Sequence, residues 1–213
     1  MKRSAYLLLG VALAACAGPI KERVKPDLVK DLPMESRIEL LDAENGLFGA
    51  IDEVDDARSN LEDGEAAVDQ AGDRIDEAKD QRKKASKEHD DAGVQVAELA
   101  ITEAKAHEAF AKLQVKVLRS EVREKEGELD VARGRYELAK AREVKRVNLQ
   151  GSQKLKVEDF ENQVGRLEER LKKLQADEDA QKAVANEQKK AWDDSRDALA
   201  RATGGAQGSA FVE

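Results

Sequence analysis

The sequence predicts an all-α protein: an elongated antiparallel helical hairpin or three-helix coiled-coil bundle, preceded by a signal peptide and a flexible tether. Charged residues make up 38% of the chain and aromatic residues 3%, a composition typical of long helices and coiled coils. Large apolar residues recur at every seventh position, each followed three positions later by a small one, which is the a/d pattern of a coiled coil. No stretch alternates apolar and polar residues convincingly, as a strand would.

The clearest repeat begins at Leu47 and weakens where Arg82 and His89 interrupt it. Its large members are Leu47, Val54, Leu61, Val68 and Ile75, and its small members are Ala50, Ala57, Gly64, Ala71 and Ala78. A seam with one large and one small column lets a partner helix approach closely.

The helical domain is expected to begin at residue 36. Ser36 and Glu39 have the spacing of a capping box, in which each side chain accepts a hydrogen bond from the other residue's free backbone N–H at the start of a helix. Gly46 and Gly49 lower the helix propensity of the following turns, so the first helix is expected to be stable only from about Leu47 onward.

Two turns are predicted to divide the domain, which spans residues 36–203, into three segments. The first lies at 89–93, where Asp90 and Asp91 can cap a helix and the phase of the seam changes. The second lies at 148–152, where Gly151 breaks the pattern and Ser152 could cap a third helix. Because the seam keeps its phase across this second turn, a continuous helix through Gly151 is the alternative to a turn there.

Charge favours folding the chain back at the first turn. Residues 36–70 contain eleven acidic and two basic residues, whereas residues 112–146 contain eleven basic and seven acidic ones, so an antiparallel pair brings opposite charges together. Two registers remain open: one places Ala57 beside Leu129, and one a heptad shorter places it beside Val122. The rival arrangement is a parallel homodimer of long unbroken helices.

The first residues carry a secretory leader. Lys2 and Arg3 precede an apolar run from Ala5 to Ala12, too short to span a membrane permanently, so residues 1–15 are predicted to be a signal peptide. The run ends in Leu13-Ala14-Ala15-Cys16, which resembles the lipobox of bacterial lipoproteins.

The resemblance implies cleavage before Cys16, lipid attachment to its sulfur and acylation, for example by palmitate, of its new amino group. Cys16 would then anchor the chain in a membrane. Ala17 stands where an aspartate would imply retention at the inner membrane, so the outer membrane, with the chain facing the periplasm, is expected.

The segments on either side of the helical domain are predicted to be flexible. Residues 16–35 hold all three prolines and lack an apolar period, so they are predicted to form a lipidated cysteine followed by a tether. Residues 204–213 are rich in glycine and are predicted to be a flexible tail.

The sequence contains no recognisable motif for catalysis, phosphate binding or metal binding. No glycine-rich phosphate loop, nucleophile elbow or spaced metal ligands occur, and Cys16 is the only cysteine. His89 beside Asp90 is better explained as a solvated turn residue than as a metal ligand, and Trp192 as part of the third seam. We therefore expect no catalytic residues, cofactor or metal, and the net charge of −8 disfavours nucleic-acid binding.

The expected function is that of a non-enzymatic, lipid-anchored envelope lipoprotein, a coiled-coil spacer, scaffold or docking partner in the periplasm. The chain resembles Braun-type murein lipoprotein in its lipobox and heptads, but it ends in Glu213 where that family has a wall-linking lysine. The expected partners are the membrane, through the lipid on Cys16, and an envelope protein; a homo-oligomer is also possible. The alternatives are a membrane-tethered holdase chaperone and an accessory subunit of an export or motility machine.

Overall fold

The structure, a computed structural model, describes residues 20–204. Within that range it consists of helix α1 (Pro26–Lys30), helix α2 (Met34–Lys87), helix α3 (Asp91–Arg146), a 3₁₀ turn (Ser152–Lys154) and helix α4 (Val157–Ala202). The prediction of an all-α antiparallel helical fold is confirmed. Since α2 has 54 residues and α3 has 56, a rise of about 1.5 Å per residue makes the rod about 80–85 Å long.

Helix α3 lies at the centre of the rod. It packs along most of its length against α2 on one side and α4 on the other, whereas α2 and α4 share no extensive interface in the described part of the chain. Because α3 lies between the other two long helices, it contributes more buried residues to the described core than either of them.

The turn between α2 and α3 occupies residues 88–90 and overlaps the predicted range of 89–93, of which residues 91–93 already belong to α3. His89 adopts a left-handed backbone with φ of 56°, and the side chain of Asp90 accepts a hydrogen bond from the backbone N–H of Gly93 at 2.9 Å. This bond satisfies one of the free N–H groups at the start of α3.

The second turn also occurs where the sequence predicts it, but it is longer and capped differently. Gly151 has φ of 94°, a conformation that glycine adopts without strain, so the continuous helix is excluded. Ser152 does not cap α4; it is buried and opens the 3₁₀ turn, and α4 begins only after Lys156.

The register of α2 and α3 is the shorter of the two that the sequence allows. Gly64 lies against the side chains of Val115 and Leu118, as expected when Ala57 pairs with Val122. Two ion pairs across the interface agree with it: Arg82 to Glu98 at 3.0 Å and Lys125 to Glu53 at 3.0 Å.

The interface of α3 with α4 depends on a second column of small residues, which lies outside the predicted seam. Four buried small residues recur at every seventh position of α3: Ser120, Gly127, Gly134 and Ala141. Large side chains of α4 fill the space above the two glycines, Leu171 and Leu174 over Gly127 and Leu167 over Gly134. Large residues against small ones let the two helices approach closely.

The start of the helical domain also differs from the prediction. Helix α2 begins at Met34 and runs unbroken through Gly46 and Gly49. Ser36 does not form a capping box; it is buried inside the helix, and its hydroxyl accepts a hydrogen bond from Arg146 of α3 at 3.0 Å. Leu40 and Val54, which are buried on either side of the two glycines, provide packing that outweighs the low helix propensity of glycine.

Candidate functional site

The candidate site is the end of the rod where the chain enters from Cys16, which we call the anchoring end (residues 20–40, 136–164). Residues 20–33 were predicted to belong to a flexible tether, but the structure packs them onto α3 and α4. The backbone N–H groups of Lys21 and Glu22 both donate to the Oε1 of Gln163, each at 2.9 Å, and the Nε2 of Gln163 donates back to the carbonyl of Glu22 at 3.2 Å. One buried glutamine therefore fixes two successive residues of the entering chain.

A second hydrogen bond fixes the chain to α3. The backbone N–H of Val24 donates to the Oε2 of Glu137 at 2.8 Å. The other oxygen of Glu137 accepts from Lys140 at 2.8 Å, and the ammonium of Lys140 lies 3.8 Å from the centre of the Tyr136 ring. Because Glu137 is ion-paired with Lys140, its carboxylate is held in place toward the entering chain.

An apolar cluster closes the anchoring end. Its buried members come from four parts of the chain: Val24, Leu32, Leu40, Ala141, Val144 and Phe160. Such a cluster joins the entering segment, α2, α3 and α4 into one packed unit, and burial of these side chains is the main source of its stability.

Polar contacts complete the unit. Arg37 donates through its Nε to the carbonyl of Leu32 at 3.1 Å and through its Nη2 to the carbonyl of Lys30. Arg146 joins Ser36 of α2 to Glu143 of α3, and this arginine lowers the pKa of Glu143 through its hydrogen bond. Side chains of Gln163, Glu137 and Arg37 thus hold the entering segment at both of its ends.

The residues singled out in the sequence lie in different places. Cys16 lies outside the described residues. His89 is exposed in the turn between α2 and α3, and within residues 20–204 no group of histidine, cysteine and acidic side chains is arranged to hold a metal. Trp192 packs between α3 and α4, with its ring stacked on His107 and Phe110 at centroid distances of 4.3 and 5.4 Å.

A groove of about 710 Å³ runs between α2 and α4 over α3. The α2 side of it carries small residues, among them Ala43, Gly46 and Ala50. Most charged groups of the lining pair with one another: Lys125 with Glu53 at 3.0 Å and with Glu128 at 2.8 Å, and Arg135 with Glu168 at 2.7 Å. The groove therefore offers small and charged side chains, and few large apolar ones, to a partner.

A pair of carboxyl groups lies between α3 and α4. The pKa of Glu124 is raised to about 7, chiefly by its hydrogen bond with Glu178 and to a smaller extent by burial. Burial opposes ionisation of Glu178, but hydrogen bonds from Glu124 and Lys182 outweigh it and lower the pKa of Glu178. The two carboxyls thus share one proton below neutral pH, which allows them to be buried next to each other.

This pair should make the stability of the rod fall as the pH rises from acid to neutral. The pKa of Glu124 is raised on folding, so the stability from its bound proton is complete below its unfolded pKa and is lost as the pH rises through about 7. Glu178 acts in the opposite sense, since its lowered pKa contributes stability that is lost only in acid. We expect Glu124→Gln, which keeps a hydrogen-bond donor, to be more stable than the parent at pH 8.5 by about 1–2 kcal/mol and similar to it at pH 5.5.

Thermal unfolding at the two pH values measures the effect. Glu187→Gln, the same change at an exposed position of α4, serves as the control and should follow the pH profile of the parent. A parent and a Glu124→Gln variant with parallel profiles would show that the pair does not share a proton.

Two further findings bear on function. None of the helices in residues 20–204 is both long enough and apolar enough to cross a membrane. The chain matches no known family model, and no curated protein or solved structure was found to be significantly similar to it.

Proposed function

We propose that this chain is a lipid-anchored envelope lipoprotein whose helical rod serves as a periplasmic spacer and docking scaffold. The observation that carries the proposal is the short distance in sequence between two features. Leu13-Ala14-Ala15-Cys16 resembles a lipobox, and Lys21, only five residues after Cys16, is already bound to Gln163 of α4.

Rigid attachment of the entering segment supports a mechanical role. The four steps along the chain from Cys16 to Ile20 reach at most about 14 Å, so a lipid on Cys16 would keep the anchoring end close to the headgroups. From there the packed helices extend about 80–85 Å. A spacer needs such a short link, because a long free tether would leave the position of the far end undefined.

The lining of the groove favours a scaffold over a holdase chaperone. A holdase needs a concave apolar surface to grip unfolded chains. The groove between α2 and α4 instead presents small residues and paired charges such as Lys125 with Glu53. These features suit a folded partner with matching shape.

The anchoring step is tested by Cys16→Ala in a bacterial host. We expect the variant to lose incorporation of a labelled palmitate analogue and to leave the outer-membrane fraction, because attachment to the sulfur and acylation of the amino group both require Cys16. Ala17→Asp serves as the matched variant: it should keep the label but move to the inner membrane.

Two results would contradict the proposal. A Cys16→Ala chain that stays in the outer-membrane fraction at unchanged yield would exclude lipid anchoring through Cys16. An unchanged distribution of Ala17→Asp would remove the expectation of the outer membrane and leave the anchor itself intact.

A further inference from the structure

An unpartnered apolar face lies on the first part of α2. Of the five large hydrophobic residues that the described chain exposes, four lie within residues 34–48: Met34 at 70%, Ile38 at 54%, Leu41 at 47% and Phe48 at 57% exposed. We call this set, together with Asn45, the α2 stripe. It points away from α3, because the residues of the same turns that face α3 are Ser36 and Leu40, both buried.

The spacing of the α2 stripe is that of a second coiled-coil seam. Steps of four and three residues place Met34, Leu41 and Phe48 at d positions and Ile38 and Asn45 at a positions. A β-branched residue at a with leucine at d favours two-stranded coiled coils, and a single asparagine at an a position specifies register. The stripe thus carries the signature of a helix dimer in addition to the seam that α2 already uses within the chain.

The arrangement of Asn45 favours two identical helices in parallel. In a parallel, in-register pair the two Asn45 side chains meet and can hydrogen-bond to each other. In any antiparallel pair a positions face d positions, so each Asn45 would lie against a methionine, leucine or phenylalanine and lose its partner.

Charge agrees with a parallel pair. Arg37 occupies a g position and Asp42 the following e position, which face each other across a parallel dimer. The next such pair joins Glu44 to Gly49, so no like charges meet. A bilayer with anionic headgroups would in contrast repel Glu35, Asp42 and Glu44, which border the stripe.

The tail beyond α4 does not reach the stripe. Leu199 lies beside Ala78 at the far part of the rod, and the helical rise from Phe48 to Ala78 is about 45 Å. Residues 205–213 span about 30 Å at full extension.

We propose that the α2 stripe binds a second copy of this chain, as a parallel, in-register dimer that places two rods side by side with both anchoring ends at the same level. The proposal does not depend on the lipid, which would only raise the local concentration of the two chains. A seam of two heptads is short, so the test uses the full chain in the cells that produce it, where that concentration is retained.

Cysteine cross-linking in cells tests the proposal. Met34→Cys and Phe48→Cys are each expressed in the full chain and exposed to a mild oxidant. A parallel, in-register pair brings each position close to its own copy, within the distance of about 7 Å that a disulfide needs. We expect each variant to give at least ten times more covalent dimer than Val184→Cys, whose position on α4 is equally exposed, at 49%.

Two controls make the result specific. The parent chain sets the baseline, since Cys16 is its only cysteine, and mass spectrometry of the linked peptides distinguishes the new disulfide from one through Cys16. Adding Leu41→Asp to Met34→Cys should lower the dimer yield at least tenfold, because a charge would enter the seam. Since Leu41 is exposed, the helical circular dichroism of this variant should match that of the parent.

Two other results would each overturn the proposal. An antiparallel pair would link Met34→Cys only to Phe48→Cys when both are co-expressed. A membrane, the leader or another protein on the stripe would leave both variants at the yield of Val184→Cys.

Discussion

Phe160→Ala should destabilise the protein by about 3–5 kcal/mol. Phe160 is 4% exposed and contacts the apolar cluster that joins the entering segment to α2, α3 and α4. Removal of the ring leaves a cavity that the surrounding helices cannot fully close, and the burial of Val24 and Leu32 is weakened with it. Thermal unfolding should show the loss, and hydrogen exchange at Val24 should become faster.

Phe48→Ala is the control for this prediction. Phe48 is 57% exposed on α2, so the same substitution should change stability by less than about 0.5 kcal/mol when measured at low protein concentration. If the two variants melted at the same temperature, the apolar cluster would not be the core of the anchoring end.

Gly134→Leu should separate α4 from α3 and cost about 1–3 kcal/mol. A Cβ atom at Gly134 would lie 2.9 Å from the Cδ1 of Leu167 and 3.4 Å from the Cγ2 of Val164. These atoms belong to buried or half-buried side chains of a packed interface, so a larger side chain must push the helix aside. Thermal unfolding measures the cost, and exchange of α4 amides should increase before that of α2.

Gly165→Leu on α4 is the matched control. A Cβ atom at Gly165 would meet nothing within 4 Å, and replacing glycine in an exposed helix position raises helix propensity. We expect this variant to be as stable as the parent or more so. Equal destabilisation of both variants would mean that the close approach of α3 and α4 does not depend on Gly134.

The sequence by itself determined the helical fold and the approximate positions of its turns. The heptad repeat from Leu47 predicted the seam of α2, and the change of phase near His89 predicted the fold-back, because both depend on local periodicity. Gly151 marked the second turn since its left-handed backbone suits glycine. The same kind of local pattern carries the lipobox at Cys16, which no structural finding on residues 20–204 tests.

Only the tertiary structure decided the register, the central place of α3 and the anchoring end. The heptad repeat allowed two registers that differ by seven residues, and the contacts of Gly64 distinguish them. The glycines of α3 fall outside the seam followed along the sequence, so their role appeared only when α4 lay over them. Val24 and Leu32 lack any period, and the bond between Lys21 and Gln163 joins residues 142 positions apart. Such contacts depend on the whole path of the chain, and a local pattern cannot encode them.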